Sequence, residues 1–297
     1  MRVDVRALTS RFKPFLSRFF FPLFPIIREF AVNLNTETSR RTPSSLTHPR
    51  VALVTGGGAG IGAAISQQLA EAGHIVFIGD INAHTADDLA GSLCAAGHEA
   101  YAVQLDVSAP ASIDAAFSTI ENQFGRCDIL VNNAGIAKTF PFLDYPVEHW
   151  RKVFDVNVTG PMLCGQHAAR LMRKNGWGRI VNIASVSGLR ASSGRTAYGT
   201  SKAAVVGLTR QMAIELAEYG ITTNGVAPGP IDTPMTLDLH SQVARDNYTR
   251  AVPAKRYGVP AEIAAVVQFL CSEQASYVNG QTVPVDGGFM AAGVLEI

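Results

Sequence analysis

Long apolar runs are missing from this chain. Its most hydrophobic stretch, "SRFFFPLFPIIREF" at 17–30, holds an uninterrupted apolar run of only nine residues, Phe19 to Ile27, and that run contains Pro22 and Pro25. A helix needs about twenty such residues to cross a bilayer, so the run predicts no membrane span. Cysteine is scarce and unpaired. Cys94, Cys127, Cys164 and Cys271 are far apart, with no CxxC and no compact His/Cys group, so neither a zinc site nor a disulfide framework is expected. Each lies in an apolar context and reads as a buried free thiol in a reducing compartment. Charge of one sign is lacking too: a net +1 gives no whole-chain argument for nucleic acid.

What is present is a large apolar content. At 47% hydrophobic and 16% charged residues, the 297-residue chain can bury a full core as one domain with an appendage. Nine of the 25 basic but only three of the 24 acidic residues fall within residues 1–50, so the excess of positive charge belongs to the N-terminal extension. "NTETSRRTPSSLTHPR" (35–50) is polar and turn-rich, and reads as a linker. The expected division is a basic, aromatic extension and linker over 1–48 and a catalytic domain over 49–297. The extension reads as dispensable to the folded part. A targeting segment and a membrane-surface or packing role remain open, since its Arg-rich, acid-poor character resembles a targeting sequence. A cytoplasmic location is the expectation for the whole.

From Arg50 onward, short β-branched runs alternate with helical patterns. Strands are predicted at 51–55, 75–79, 100–105, 128–132, 179–185, 222–228 and 282–287. Helices are predicted between them over "GAAISQQLAEAG", "AHTADDLAGSLCAAG" and "SIDAAFSTIENQFG", before and through "QHAARLMRKNG", from near Lys202 to Gly220, and at 260–272 behind Pro260. Strand and crossover helix repeated in this way specify an α/β fold: one doubly wound sheet of seven parallel strands between helices.

"TGGGAGIG" (55–62) follows the first strand and opens a helix. Gly56, Gly60 and Gly62 carry the spacing, with Gly58 and Ile61 between them. Glycines allow a tight turn and a close approach to a pyrophosphate, whose charge the free N–H groups of the helix start can meet. No GK[ST] follows, which excludes a Walker loop. Asp80 ends the second strand, where a carboxylate accepts from both hydroxyls of an adenosine ribose and repels a 2′-phosphate. Its neighbour Ile81 supplies no compensating cation, so NAD is expected over NADP. Asp106 is placed for the adenine amino group and Val107 to cover the ring. "NNAG" ends the fourth strand, where Asn133, Ala134 and Gly135 let backbone approach the cofactor. No metal is required.

Taken with Ser185 in "NIASVSG" and Tyr198 and Lys202 in "TAYGTSK", these motifs make residues 50–292 resemble the classical short-chain dehydrogenases/reductases, a family of single Rossmann-fold domains. The resemblance implies a catalytic tetrad of Asn157, Ser185, Tyr198 and Lys202. It also implies that Pro228, Gly229 and Ile231 border the nicotinamide, that Thr233 contacts its carboxamide or phosphate, and that the protein is a homotetramer built on helices near 161–174 and 202–219. Gly225, where the family more often has alanine, is a small departure. The chemistry stands on its own terms. A phenol near its ordinary pKa of about 10 is a poor proton carrier, and an ammonium four residues along one helix face would lower it. Ser185 would hold the substrate oxygen, and Asn157 would anchor a water chain.

The segment 235–260 reads as a mobile lid. His240, Arg245, Tyr248 and Arg250 within it favour a polar substrate, hence an NAD-dependent dehydrogenase of a small secondary alcohol or polyol. A 3-oxoacyl-[acyl-carrier-protein] reductase using NADPH is the alternative, and a non-catalytic NAD-binding scaffold is a third reading. The tail "FMAAGVLEI" is apolar enough to pack at a subunit interface.

Overall fold

The computed structural model describes residues 49–293; the expectations for the extension over 1–48 and for the end of the tail lie outside them. Seven strands form one parallel sheet in the order β3-β2-β1-β4-β5-β6-β7. They are β1 (Val51–Thr55), β2 (Ile75–Asp80), β3 (Ala100–Gln104), β4 (Ile129–Asn132), β5 (Gly178–Ile183), β6 (Ile221–Pro228) and β7 (Thr282–Val285). Helices α1 (Gly60–Glu71), α2 (Ala83–Ala95), α3 (Pro110–Phe124), α4 (Val147–Phe154), α5 (Gly160–Asn175) and α6 (Thr196–Leu216) connect them. The last crossover carries α7 (Pro234–Leu239), α8 (Gln242–Ala251) and α9 (Pro260–Cys271). This is a Rossmann-type doubly wound sheet, as the alternation of patterns predicts.

The strands read as continuous apolar runs because both faces of the sheet are covered. Along β1, Ala52 and Val54 join a core with Ile65 and Leu69 of α1 and Ile263 and Val267 of α9. Val51 and Leu53 point the other way, into a core with Ile113 and Ile120 of α3 and Ala168 and Met172 of α5. A single period-2 strand thus feeds two cores, and each fully buried aliphatic side chain contributes about 1.5–3 kcal/mol of burial.

Four features depart from the sequence expectations. The long helix begins at Thr196, six residues before Lys202, so Tyr198 lies in its first turn. Residues Asp155–Thr159 form a π-turn between α4 and α5, and this turn carries Asn157. Such a turn adds a residue within helical spacing and leaves no compositional mark. The segment expected as a mobile lid contains two capped helices, Thr233 capping α7 and Ser241 capping α8. Cys127, Cys164 and Cys271 are buried free thiols as expected, whereas Cys94 is exposed near the end of α2, on its solvent face. A methyl group at Gly225 would approach Thr282 Oγ1 to 2.7 Å, so an alanine there would require that side chain to turn. Among the described residues, no helix is long and apolar enough to cross a membrane.

Candidate active site

All seven strands end at one edge, where the sheet order reverses between β1 and β4, and a cavity of about 620 Å³ opens there. Crevices at this switch point bind ligands in open α/β sheets. The volume is in the range of small-molecule and cofactor sites.

The glycine turn forms one wall. Gly56 and Gly60 have φ of +60° and +54°, a region that disfavours any side chain. Gly62 has a different reason: a Cβ there would run into the Gly56 carbonyl. Thr55 secures the turn, its Oγ1 accepting from the N–H groups of Asn133 (3.0 Å) and Ala134 (3.1 Å). Asn133 returns the contact by donating from Nδ2 to the carbonyls of Thr55 (3.0 Å) and Gly56 (2.9 Å). The helix that follows, α1, has no side-chain cap, whereas α2, α7 and α8 are capped by Asn82, Thr233 and Ser241. Its first N–H groups, at Gly60 and Ile61 on the cavity wall, are left to meet an anion.

Asp80 lies at the rim with its carboxylate fixed by two backbone donors, Gly58 N–H to Oδ2 and Asn82 N–H to Oδ1, both 3.0 Å. Ile81 beside it is 65% exposed. Asp106 accepts through Oδ1 from the N–H (2.9 Å) and hydroxyl (2.6 Å) of Ser108. Val107 is buried, and Gly160 fits beneath it because a Cβ there would come within 2.7 Å of the Val107 carbonyl.

The opposite wall carries the proton-transfer groups. Ser185 caps a short 3-10 turn, its Oγ accepting from Ser187 N–H at 3.1 Å. Gly188 ends that turn and presses on α6, where a Cβ would come within 2.6 Å of the Lys202 carbonyl carbon. Lys202 is only 5% exposed and donates from Nζ to the Ile183 carbonyl at 2.7 Å. Burial pulls its ammonium down to about 8. Tyr198 is half-buried. Burial pushes its phenol above the ordinary 10, against the pull of the Ser185 hydroxyl and the Arg195 guanidinium. The expectation that Lys202 lowers the phenol is therefore corrected: the ammonium lies 5.8 Å from the ring centroid and is held on Ile183, so desolvation dominates.

Every candidate site residue borders the cavity except Gly58, Gly62 and Asn157. Gly58 acts through Asp80, and Gly62 through its close approach to Gly56. Asn157 is fully buried behind the wall: Oδ1 accepts from Ile136 N–H (2.9 Å), while Nδ2 donates to the Ile136 carbonyl and to Ser201 Oγ, both at 3.0 Å. Both amide hydrogens are thus used, and its side chain positions Ile136 and α6 instead of offering an N–H to water. Thr233 combines a place on the wall with its capping bond, Oγ1 accepting from Thr236 N–H at 3.2 Å. Pro228, Gly229 and Ile231 line the floor; Gly229 passes Asp286 so closely that a Cβ would reach its Cα at 2.7 Å.

Sequence reasoning missed Lys152 on the wall and a buried chain beneath it. Asn132 donates to Asn182 Oδ1 (2.9 Å), and Asn182 donates to Thr209 Oγ1 (3.0 Å), joining β4, β5 and α6. Arg195, with its guanidinium 5.4 Å from the Tyr198 ring, was also missed. It falls three residues before the tyrosine, in a stretch that reads as a turn.

Residues 56–290 match a family model described as enoyl-(acyl carrier protein) reductase. Over 240 residues the chain is 42% identical to 3-oxoacyl-[acyl-carrier-protein] reductase FabG of Aquifex aeolicus, covering 80% of this chain and 96% of that protein. The chain belongs to the short-chain dehydrogenases/reductases. As a member of that family it is an oxidoreductase. It is also 43% identical over 243 residues to cis-4-hydroxycyclohexanecarboxylate dehydrogenase of Sinomonas cyclohexanicum, covering 82% of this chain and 97% of the relative. Among solved structures it resembles a gluconate 5-dehydrogenase from Burkholderia cenocepacia in complex with NADP and tartrate. There the TM-score is 0.79 at 38% identity, over 82% of this chain and 96% of that one.

Proposed function

We propose that this short-chain dehydrogenase/reductase moves hydride between NAD and a small polar secondary alcohol or polyol, or the corresponding ketone. The observation that carries the reading is one cavity with a glycine turn and uncapped helix start on one wall and Ser185, Tyr198 and Lys202 on the other. Gly56, Gly60 and Ile61 would hold the pyrophosphate, Asp80 the adenosine ribose, and Asp106 and Val107 the adenine. Asn133 to Gly135, Lys202, and Pro228 to Thr233 would hold the nicotinamide half. When bound, the dinucleotide supplies the hydride acceptor or donor.

The chain's own residues handle the proton. Ser185 Oγ orients the substrate oxygen beside Tyr198, whose oxygen, its own proton first released toward solvent past Lys202, takes the alcohol proton in oxidation, and whose hydroxyl gives a proton to the ketone oxygen in reduction. Lys202 keeps a proton donor next to that path, and Asn157 locks Ile136 and Ser201 behind it. The dry wall holds both reactants in register. Asp80 and the absence of a cation at Ile81 support NAD over NADP.

Free thiols support a cytoplasmic setting, and the domain boundary is proposed just before β1, near residue 48. Assembly as a homotetramer through the helices over 161–174 and 202–219 belongs to the same reading. It is supported by Ile214, an apolar side chain 75% exposed on α6.

The test is reduction of NAD+ and NADP+ by the full-length protein across polyols, small secondary alcohols, hydroxy acids and a 3-hydroxyacyl thioester. NAD+ reduction with a polyol, alcohol or hydroxy acid is the expected result. Turnover confined to NADP+ and the thioester would replace the reading with a 3-oxoacyl-[acyl-carrier-protein] reductase, an outcome to which the Aquifex relative gives weight. Tyr198→Phe should retain NADH binding and lose roughly 10²–10⁴-fold in turnover. Full activity in that variant would remove Tyr198 from the chemistry.

A further inference from the structure

Five arginines surround the lid, and four of them are accounted for; Arg250, exposed on α8, donates to Asn247 Oδ1. Arg245 pairs with Asp232 at 2.5 Å, and Arg256 grips both Glu262 oxygens at 2.8 and 2.6 Å. Arg190 is exposed, with its guanidinium over Phe289. Arg195 differs. It is half-buried at the N-terminus of α6, 5.4 Å from the Tyr198 ring, and among the described residues no carboxylate lies within ion-pair distance of it.

Its side-chain partner is His240, on the joint between α7 and α8, at 2.8 Å. A guanidinium only donates, so His240 Nε2 must accept, which leaves the proton on Nδ1 to be donated to the Tyr257 hydroxyl at 2.9 Å. The imidazole is thereby a neutral acceptor, stacked on Tyr248 with centroids 5.0 Å apart. A cation over the Tyr198 ring, just behind the residues that line the cavity, is met by a lid side chain that brings no charge.

Resting on the dehydrogenase reading above, we infer that Arg195 is the specificity residue for a carboxylate on the substrate, and that His240 is the lid group which that carboxylate displaces. A carboxylate accepts from two guanidinium N–H groups at once and carries the opposite charge, so it is the stronger partner. Because His240 also holds Tyr257 and stacks on Tyr248, the exchange releases the contact that keeps the lid down. The substrate class is narrowed to a hydroxy acid whose carboxylate lies a few bonds from the carbinol carbon. Arg245 is kept from the role by Asp232, and Arg256 by Glu262.

The test uses the full-length protein with saturating NAD+ and matched acid and ester pairs: 3-hydroxybutyrate and 4-hydroxycyclohexanecarboxylate against their methyl esters. The wild type should prefer the acids. In Arg195→Gln the acid-to-ester ratio of kcat/KM should fall about 10- to 100-fold, through KM more than kcat, and Arg195→Lys should restore part of it. Equal losses on acid and ester, or a wild-type preference for the esters, would overturn the proposal. Failure of the wild type to oxidise any alcohol would instead sink the dehydrogenase reading. Arg195 is then judged by calorimetric titration of 4-oxocyclohexanecarboxylate into the NADH-treated protein: binding lost in Arg195→Gln upholds the anion site. Binding that is unchanged in the variant, or absent in both, rejects it.

Discussion

Lys202 places an ammonium where water scarcely reaches, and the cost shows in its descent from the ordinary 10.5 to about 8. Between pH 8 and 10.5 the unfolded chain holds a proton at this residue that the folded protein has released, so stability rises with pH across that window. Below it, the full burden of the buried cation is present. Lys202→Met removes the burden and forfeits the bond to Ile183, for a net gain at pH 7 of about 2 kcal/mol. The expected outcome is a melting temperature higher by roughly 4–8 °C with turnover abolished. The gap should narrow as the pH approaches 10, and thermal melts of both proteins at the two pH values check it. A lower melting temperature for the variant at pH 7 would mean that the Ile183 bond outweighs desolvation.

Elements bring Ser185 and Tyr198 together, and Gly188 is where they touch. In Gly188→Ala the new methyl would meet the backbone of Lys202 and Ala203, so the 3-10 turn must lift away from α6. Overpacking of this kind costs about 1–3 kcal/mol. Because the shift moves Ser185 relative to Tyr198, kcat should fall at least about tenfold, with dinucleotide affinity far less affected. Equal activity in the variant would show that the turn has slack.

The lid has its own signature in pH. His240 is faced by Arg195 and Arg245 and packed against Tyr248 and Tyr257; burial, then the two arginines, hold its pKa below the ordinary 6.5. The closed contact needs the neutral ring, so it is complete above that value and is lost as the pH falls through the lower folded one. Hydrogen exchange of α7 and α8 should quicken on going from about pH 7.5 to 5.5, after correction for intrinsic rates, and His240→Gln should flatten the response. A wild type with no such change would show that His240 does not latch the lid.

Legibility in the sequence also divides by element. Strand starts agree with the pattern to within one residue, because a parallel strand covered on both faces is apolar throughout and its bounds are composition bounds. The lid helices were hidden, since α8, "QVARDNYTRA", has no buried residue and therefore no apolar face to display. The π-turn was hidden for the opposite reason: one extra residue in a helical run alters geometry and leaves composition alone. In the site, glycine spacing and the Tyr198–Lys202 interval were readable as backbone and helix geometry. What shifts each pKa was not: the burial of Lys202 and the approach of Ser185 to Tyr198 arise only in the tertiary fold, and Arg195, though three residues from the tyrosine, lies in a stretch that reads as a turn.

For the molecule as a whole, the sheet separates two cores by strand parity, and the stability of both rests on its central strand. Leu53 is fully buried, and Leu53→Ala should cost about 2–5 kcal/mol in denaturant unfolding. A loss well under 1 kcal/mol would mean that the surrounding core collapses into the space.

The same central strand has a practical side. Residue 51 enters the sheet at the edge away from the cavity, one five-residue strand, or about 16 Å, behind the glycine turn. Arg50, just before it, is staked down by Trp177, 3.8 Å from the ring centroid, and by Glu273 at 3.0 Å. An anchor joined directly to residue 50 would tether the enzyme by its back and turn the mouth of the cavity toward solution. Strand polarity in this fold thus supplies the orientation that an immobilised catalyst on an electrode or bead otherwise has to acquire by chance.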